Sequence, residues 1–504
     1  MNFIRQRLRP VRSLVISFLA LSVAACSTGG LTTKSHLLQL EGHANVELPA
    51  GVVLSSAAWP TADWFKSFND SQLDALVERA LVGNPSLQLA QARVDQATAV
   101  SGLAGASLEP RIDGTGSMMR QRFSDHGTTP PPVAGTWDYV TQVGLGVQYE
   151  LDFWGKNRAA LAGAVGRQHA VEVDQAAARL ILITSVVQGY IALQNTDDQV
   201  DVEQRQLDRQ LDILSLTANR VRVGLDSQVD LKLAQSQIPV RRSSIAALKE
   251  RRELLCNELA MLTGAPAGSL GALTRPTMKR PQQVALPSVV PAELVGNRPD
   301  VVAQRWRVEA AGHDIEVAKA SFYPNINLVG SMGLQSRGLD DVTDIGNRVF
   351  GIGPAINLPI FEGGRLRAGL ALQNANYDAA VETYNSTVLG AFRDVADQLT
   401  SLRWLRERMA QQQDAVATAD QALDLAKRRY AVGLSSQVQV LIAESAVLQQ
   451  ERALVDLQAR ALSLDAGLHR ALGGGQLPAA TPSATSDPST AVGSTPSSSK
   501  AHGH

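Results

Sequence analysis

The chain has 504 residues, of which 44% are hydrophobic and 19% charged, and its formal net charge is −1. This length suffices for one large domain or several ordinary ones, and the near-neutral charge offers no electrostatic attraction to nucleic acid. Only two cysteines are present, Cys26 and Cys256, so a disulfide framework is not indicated. The scarcity of aromatic residues and the abundance of alanine, leucine, glutamine and arginine favour long helices.

The first 25 residues have the features of a signal peptide. Four arginines within the first twelve residues precede an apolar run, residues 14–25, that is too short to span a bilayer comfortably. Small residues lead into Cys26, as in a bacterial lipobox, and predict that Cys26 is acylated and becomes the mature N-terminus. An ordinary signal peptide with an incidental cysteine is the alternative. The residue after Cys26 is Ser27 and not an aspartate, as in lipoproteins that are sorted to the outer membrane, which this segment resembles.

Residues 26–62 show no sustained period and are predicted to form an extended arm that lies on the body of the protein. Helical spacing of apolar residues then predicts a short helix from about Ser71, which ends at Gly83-Asn84-Pro85. A second helix is predicted from Pro85 to about residue 108, and Pro110 stops it.

Residues 143–153 alternate strictly between apolar and small or polar side chains. This period of two predicts a strand with one apolar and one polar face. A half-buried strand of a soluble sheet shows the pattern, and so does a strand of a membrane barrel; taken alone, the stretch favours the soluble sheet. Residues 111–123 form a weaker strand candidate, and residues 124–136 are predicted to form a loop.

From residue 156 to about residue 223 the chain contains no proline, and a helix of this length would be about 100 Å long. The far half of this helix has a coiled-coil spacing of four and three residues, carried by Leu207, Leu211, Leu214, Ala218 and Val221. Residues 180–193 are apolar nearly all round and are interpreted as packed helix, not as a membrane span. After Gly224, a return helix is predicted over residues 228–262.

The chain then repeats itself. Pro85, Pro110 and Gly116 recur 214 positions later as Pro299, Pro324 and Gly330, and the segment Val223-Gly224-Leu225 recurs 209 positions later as Val432-Gly433-Leu434. The predicted organisation is a first structural repeat over residues 63–265, a linker over 266–296, a second repeat over 297–475 and a disordered tail over 476–504. In the second repeat, strands are predicted near 325–334 and 350–360, and helices over 365–432 and 437–472. Two prolines in the last strand indicate a sheet edge or a bend.

Each repeat thus supplies two strands and two long helices. Four strands cannot close a transmembrane barrel, because known barrels begin at eight strands and an open edge cannot face lipid. If the strands lie in a membrane, several chains must share one barrel. The residues alone therefore predict a homo-oligomeric tube, part β and part α, attached to the outer membrane.

Several segments resemble the TolC-like outer-membrane factors, the efflux lipoproteins of tripartite pumps. They are Trp64–Phe68, the lipobox and the segments 297–300, 318–324, 353–368 and 391–396, and the likeness covers about residues 60–475. The resemblance implies a mixed α and β membrane protein: a trimer whose shared twelve-stranded barrel continues into a twelve-helix periplasmic tunnel. It also implies an exit duct for drugs or other small molecules, with a periplasmic adaptor and an inner-membrane transporter as partners.

The resemblance also assigns candidate site residues. The hairpin tips that meet the adaptor match Val223, Gly224, Leu225, Val432, Gly433 and Leu434, although each glycine is also explained by the turn alone. At the periplasmic aperture, Asp230 fits an acidic ring, but Gln439 and Ile442 stand at the comparable places of the second repeat and make such a ring doubtful. In a barrel, the lipid-facing side chains are Val143, Leu145, Val147 and Tyr149, and the exit is lined by Gly144, Gly146, Gln148 and Glu150.

No catalytic, metal-binding or cofactor-binding pattern is found in the sequence, so an enzyme is not expected. Two other functions remain open. One is a TolC-like channel for type I protein secretion, and the other is a periplasmic coiled-coil lipoprotein without a pore. The alternating strands argue against the second, and the lipobox together with the segment 363–368 favours drug efflux over protein export.

Overall fold

The structure, a computed structural model, describes residues 32–38, 62–271, 273–279, 298–338 and 341–475. The predicted signal peptide, Cys26 and the predicted disordered tail lie outside these ranges, as do most of the arm and more than half of the linker. In the described ranges the chain consists of long helices and one four-stranded antiparallel sheet. The expectation of a mixed α and β architecture is therefore confirmed.

The first half begins with a short 3-10 helix, Trp64–Phe68, and each following helix has a clear start signal. The Asp70 side chain accepts hydrogen bonds from two backbone N–H groups at the start of the first α-helix. The Asn84 side chain accepts one, from Ser86, before the second helix, where Pro85 occupies the first turn. The elements are α1 (Ser71–Gly83), α2 (Pro85–Ala106), β1 (Arg111–Arg122), β2 (Trp137–Glu150), α3 (Lys156–Arg222) and α4 (Gln228–Leu262).

From α2 onward, the described part of the second half repeats the order of helices and strands of the first. Its helices are as long as their counterparts in the first half: 22 residues before the strands, 67 residues after them and 35 residues on the return. The elements are α5 (Pro299–Ala320), β3 (Asn325–Arg337), β4 (Arg348–Asn357), α6 (Arg365–Ala431) and α7 (Gln437–Ala471), with a 3-10 turn, Ile345–Asn347, before β4.

The strands pair in the order β1-β2-β3-β4, so β1 and β4 are the edges of the chain's sheet. Pro354 lies opposite Leu328 within the edge strand, and Pro359 lies beyond the end of β4, which satisfies both expectations for these prolines. The predicted strand over 143–153 was displaced: β2 begins six residues earlier, at Trp137, and ends at Glu150. The strand stops there because the Asp152 carboxylate turns to accept the backbone N–H groups at the start of α3.

The main hydrophobic core lies midway along α3, around Tyr190 and Leu193. It includes the 3-10 helix Trp64–Phe68 and side chains of α1, α4 and α7. Among the described helices, only α3 has the length and the apolar composition to cross a membrane. However, 56% of its most apolar 18-residue segment is buried within the chain. The interpretation of residues 180–193 as tightly packed helix is confirmed.

The predicted coiled-coil seam of α3 was only partly right. Leu207 and Leu214 pack against Ile238 and Ile245 of α4, whereas Leu211 and Ala218 are exposed in the single chain. The side of α3 that faces α6 and α7 instead buries Glu203, Gln206, Gln210, Ile213 and Thr217. The corresponding seam of α6 is mainly apolar, and Leu423 and Tyr430 lie at its centre. The contact between the hairpins is therefore more polar than heptad spacing indicates.

The short described part of the N-terminal arm, residues 32–38, runs along α6. The backbone N–H groups of Lys34 and Ser35 donate to the Asp378 carboxylate at 2.9 and 3.0 Å, and the N–H of Leu38 donates to the Asn385 side chain at 2.8 Å. The Asn385 amide in turn donates to the carbonyl oxygen of His36 at 3.0 Å. These bonds attach an extended segment to the outside of the second long helix.

Candidate functional site

The register of the sheet separates an apolar from a polar face. Each partner of Val143, Leu145, Val147 and Tyr149 on β3 is apolar or glycine, namely Leu334, Met332, Gly330 and Leu328. The same face continues onto β1 through Ile112 and Met118 and onto β4 through Phe350, Ile352 and Ile356. Since successive residues of a strand point to opposite sides, the four predicted lipid-facing residues lie on one continuous apolar surface.

That apolar surface is exposed to solvent in the single chain. Val143 and Leu145 are 52% and 49% exposed, and Phe350 and Ile352 are about four-fifths exposed. An unpartnered apolar surface of this extent is unusual for a soluble monomer and marks a surface that is covered by lipid or by another protein.

The opposite face carries the predicted lining residues Gly144, Gly146, Gln148 and Glu150. Side chains that share this face include Asp113, Thr115 and Ser117 on β1, Asn327 and Ser331 on β3 and Asn357 on β4. A Cβ atom on Gly333 would lie 2.5 Å from the Val143 carbonyl oxygen, and one on Gly144 would lie 2.9 Å from that of Met332. Only glycine fits at this cross-strand pair, which is typical of a bend in a curved sheet.

The two hairpin tips have the same backbone structure. In the first, the N–H of Gly224 donates to the Val221 carbonyl and the N–H of Leu225 to that of Arg220; the second repeats both bonds with Gly433 and Leu434. This is the Schellman arrangement, which requires a left-handed residue after the helix, and both glycines have φ of +78°. The turn leaves the flanking apolar residues in water: Val223, Leu225, Val432 and Leu434 are 64–70% exposed.

A three-residue contact ties the first tip to the end of α6. The Arg220 guanidinium donates to both oxygens of Asp226, at 2.9 and 3.2 Å, and lies 4.7 Å from the centre of the Tyr430 ring. The Tyr430 hydroxyl also donates to the Asp226 carboxylate. Partial burial works against ionisation of Asp226, but the hydrogen bonds from Arg220 and Tyr430 outweigh it and hold its pKa below the ordinary value. We call Arg220, Asp226 and Tyr430 the tip cluster.

The three aperture candidates are not brought together within one chain. Asp230 lies in the first turn of α4, where its carboxylate accepts hydrogen bonds from the backbone N–H and the hydroxyl of Ser227 at 3.0 and 2.6 Å. It therefore belongs to a capping box that stabilises the start of the helix. Gln439 and Ile442 are exposed on α7, and within the described ranges neither is joined to Asp230 by a hydrogen bond.

Buried charges lie further up the contact between the hairpins. Glu203 of α3 is fully buried and pairs with Arg241 of α4 at 3.4 Å and with Arg452 of α7. Glu444 of α7 is also fully buried and accepts a hydrogen bond from Gln210, while its Oε1 atom has no partner. Burial raises the pKa of Glu444 to about 7, despite the nearby cations Lys427 and Arg209.

The tip cluster and the buried glutamates could not be predicted from the sequence. Asp226 and Tyr430 are 204 residues apart, and Glu203 and Arg452 are 249 residues apart, so no local pattern connects them. Within the part of the chain that the structure describes, no cluster of three or more His, Cys, Asp or Glu side chains could hold a metal ion. The predicted lipidation site Cys26 lies outside that part.

Comparison with known proteins identifies the family. The model of the outer membrane efflux protein family matches residues 76–265 and 290–474. The fusaric acid resistance protein FusA of Burkholderia cepacia is 36% identical over 371 residues, which are 72% of this chain and 69% of FusA. The multidrug resistance outer membrane protein MdtP of Escherichia coli K12 is 33% identical over 442 residues, 85% of this chain and 90% of MdtP.

A solved structure agrees with these sequence relatives. The outer membrane protein VceC from Vibrio cholerae has 36% sequence identity and a TM-score of 0.78, and the match covers 83% of this chain and all of VceC. The family comprises transport ducts and not enzymes, so the predictions of efflux, of location in the outer membrane and of a non-enzymatic role are confirmed. The chain belongs to the outer membrane efflux protein family.

Proposed function

We propose that three copies of the chain form the outer-membrane channel of a tripartite efflux system. The observation that carries this proposal is the sheet with one apolar face and two unpaired edges, β1 and β4. Each backbone polar group left unpaired in hydrocarbon costs several kcal/mol, so four strands cannot stay open in a bilayer. Pairing β4 of one protomer with β1 of the next removes every edge and gives a barrel of twelve strands.

The helices extend this barrel into the periplasm. Both 67-residue helices are about 100 Å long, and together with the return helices each protomer supplies four to a tunnel of twelve. Large apolar side chains such as Val240, Leu254 and Trp404 are about half exposed on these helices in the single chain. Packing between protomers would remove them from water, which supports a tunnel formed side by side.

The exported compounds are drugs or other small molecules, which pass from an inner-membrane transporter and its periplasmic adaptor to the outside. FusA and MdtP are both named for resistance to such compounds. The polar face of the sheet would line the exit, and the exposed apolar residues of the two hairpin tips would contact the adaptor. Asp230, Gln439 and Ile442 would surround the periplasmic aperture, without an acidic ring on the second hairpin.

The proposed organisation of the rest of the chain follows its sequence. Residues 1–25 direct export and are removed, acylated Cys26 adds an anchor in the outer membrane, and residues 26–62 form an arm on the outside of the trimer. Residues 63–265 and 297–475 are duplicated halves joined by residues 266–296. Their equal helix lengths support this division.

Disulfide cross-linking tests the shared barrel. One cysteine replaces Ser117 in β1, and a second is placed in turn at positions 349–355 of β4, with Cys256 changed to serine. The two edges of one sheet lie three strand spacings apart, about 14 Å, whereas a disulfide needs Cα atoms within about 7 Å. A cross-link can therefore form only between protomers, and at least one pair should yield covalent trimers. Single-cysteine variants are the controls, and failure of every pair would contradict the barrel.

Transport is tested in cells. A strain that lacks this gene should become sensitive to small toxic compounds and recover when the gene is restored. If the strain instead keeps its resistance and loses a secreted protein, the channel serves type I secretion. A monomer in the soluble periplasmic fraction would exclude a channel of either kind.

A further inference from the structure

The apolar face of the β1–β2 hairpin ends in two arginines and two aromatic residues. Arg120 pairs with Tyr139 and Arg122 with Trp137, and all four lie on the same face as Val143 and the other lipid-facing residues. They are the two residues of each strand on this face that lie nearest the connecting loop, residues 123–136. We call these four residues the belt patch. Two cations and two aromatic rings therefore continue a mainly apolar surface, beyond the polar pair Thr141 and Ser336. Arg348 of β4 lies at the same end of this face, opposite Leu334.

Arg120 is held over the rings without a counterion. Its guanidinium carbon lies 5.9 Å from the centre of the Trp137 ring and 5.8 Å from that of Tyr139, distances at which a cation is attracted to the ring face. In the described ranges no carboxylate forms an ion pair with Arg120. Arg122, by contrast, pairs with Asp125 of the loop at 3.0 Å. Within the described ranges, Arg120 therefore carries a charge without a carboxylate partner and lies beside two aromatic rings.

The belt patch lies at the outer end of the proposed barrel. The helices join the strands at the opposite end, next to Arg111, Glu150, Asn325 and Asn357, and they extend into the periplasm. An arginine costs about 2–4 kcal/mol at the bilayer midplane but about 0–1 kcal/mol near the interface, where aromatic side chains form girdles. Both residue types place the belt patch at the depth of the lipid headgroups, on the outside of the cell.

We infer that Arg120, held over Trp137 and Tyr139, binds a phosphate of lipid A, the phosphorylated glycolipid of the outer leaflet. Guanidinium groups bind phosphate oxygens with two parallel hydrogen bonds, and an arginine that is already positioned loses little side-chain freedom on binding. The apolar face of the sheet, which begins next to Arg120, would contact the acyl chains of the same lipid. This inference rests on the proposed barrel, which sets the membrane orientation of the patch.

Native mass spectrometry of the purified full-length trimer tests the inference. The protein is titrated with bisphosphorylated lipid A, with lipid A from which the phosphates have been removed, and with phosphatidylglycerol. We expect bisphosphorylated lipid A to bind most tightly. Arg120→Gln should weaken this binding about tenfold, the effect of one lost charge-assisted contact, and Arg120→Lys should weaken it less because the charge remains.

Arg337→Gln is the matched control. Arg337 pairs with Val140, so it lies near the same end of the sheet but on the polar face, and its loss should leave lipid A binding unchanged. Equal binding by the Arg120→Gln and Arg337→Gln proteins would overturn the inference, as would equal binding of lipid A and phosphatidylglycerol. Should Arg120→Gln fail to assemble, the Arg120→Lys protein and the phosphate-free lipid decide. Absence of a wild-type trimer would instead contradict the barrel itself.

Discussion

A positive charge at the centre of the apolar face should block assembly of the trimer. Leu145 lies in the middle of β2, between Gly114 of β1 and Met332 of β3, and is 49% exposed in the single chain. Replacing it with arginine places a guanidinium in the hydrocarbon, and small neighbours such as Gly114 give it no counterion. The matched variant is Gln148→Arg, three residues along the same strand but on the polar face.

The magnitude follows from the depth of the site. An arginine at the bilayer midplane costs about 2–4 kcal/mol, and a symmetric trimer carries three copies, so the total is about 6–12 kcal/mol. This total is comparable with the whole folding stability of an ordinary protein. A surface substitution in contact with water changes stability by about 0.5 kcal/mol or less, which is the expectation for Gln148→Arg.

The assay is semi-native electrophoresis of outer-membrane fractions, followed by conductance measurements in planar bilayers. Leu145→Arg should greatly reduce the trimer band and leave monomer that is degraded. Gln148→Arg should form trimers normally but change the ion selectivity of the channel toward anions, because the added charge lies in the exit. Equal losses of trimer in the two variants would refute the assignment of the faces.

Two further predictions concern the helical hairpins. Tyr430→Phe keeps the ring beside Arg220 but removes the hydroxyl that donates to Asp226. Because a hydrogen bond to a charged group contributes about 1.5–3 kcal/mol, the hairpin tips should loosen and the bilayer conductance should rise. Unchanged conductance would show that the tip cluster does not restrain the tips. Burial raises the pKa of Glu444 from 4.5 to about 7, so the folded protein binds this proton more tightly than the unfolded chain does. The free energy of unfolding therefore falls as pH rises from about 4.5 to 7, by up to about 3 kcal/mol. Glu444→Gln should therefore raise the melting temperature at pH 8 more than at pH 5, and equal shifts would contradict the burial of a charge.

Helices and strands were predictable where the turn-forming residues agreed with the period of the hydrophobic residues. The long helices ended within a residue or two of their predicted limits, because Gly224 and Gly433 stop them in the same Schellman turn. The start of β2 was missed, because Val140 on the polar face interrupts the alternation between Trp137 and Val143. Phe153 continued the alternation but lies outside the strand, since capping of α3 by Asp152 takes precedence.

The polar interior between the hairpins could not be predicted from local sequence. Charged and amide side chains on a helix usually face water, so Glu203, Gln210 and Glu444 look like parts of a solvated face. Their burial depends on partners from other helices, such as Arg241 and Arg452, and these contacts exist only after the two hairpins pack together. The tip cluster is hidden for the same reason. The two faces of the sheet were easier to assign, because a period of two directly reports which side of a strand a residue occupies.

The equal lengths of the long helices determine how the proposed trimer would present its hairpin tips to an adaptor. Both descending helices have 67 residues, both returning helices have 35, and both tips close in the same turn. In the proposed trimer the six tips would therefore end at nearly the same depth and present six almost equivalent docking positions. A threefold channel would then be matched by a sixfold ring of adaptor subunits, with alternate subunits meeting the first and the second tip of each protomer.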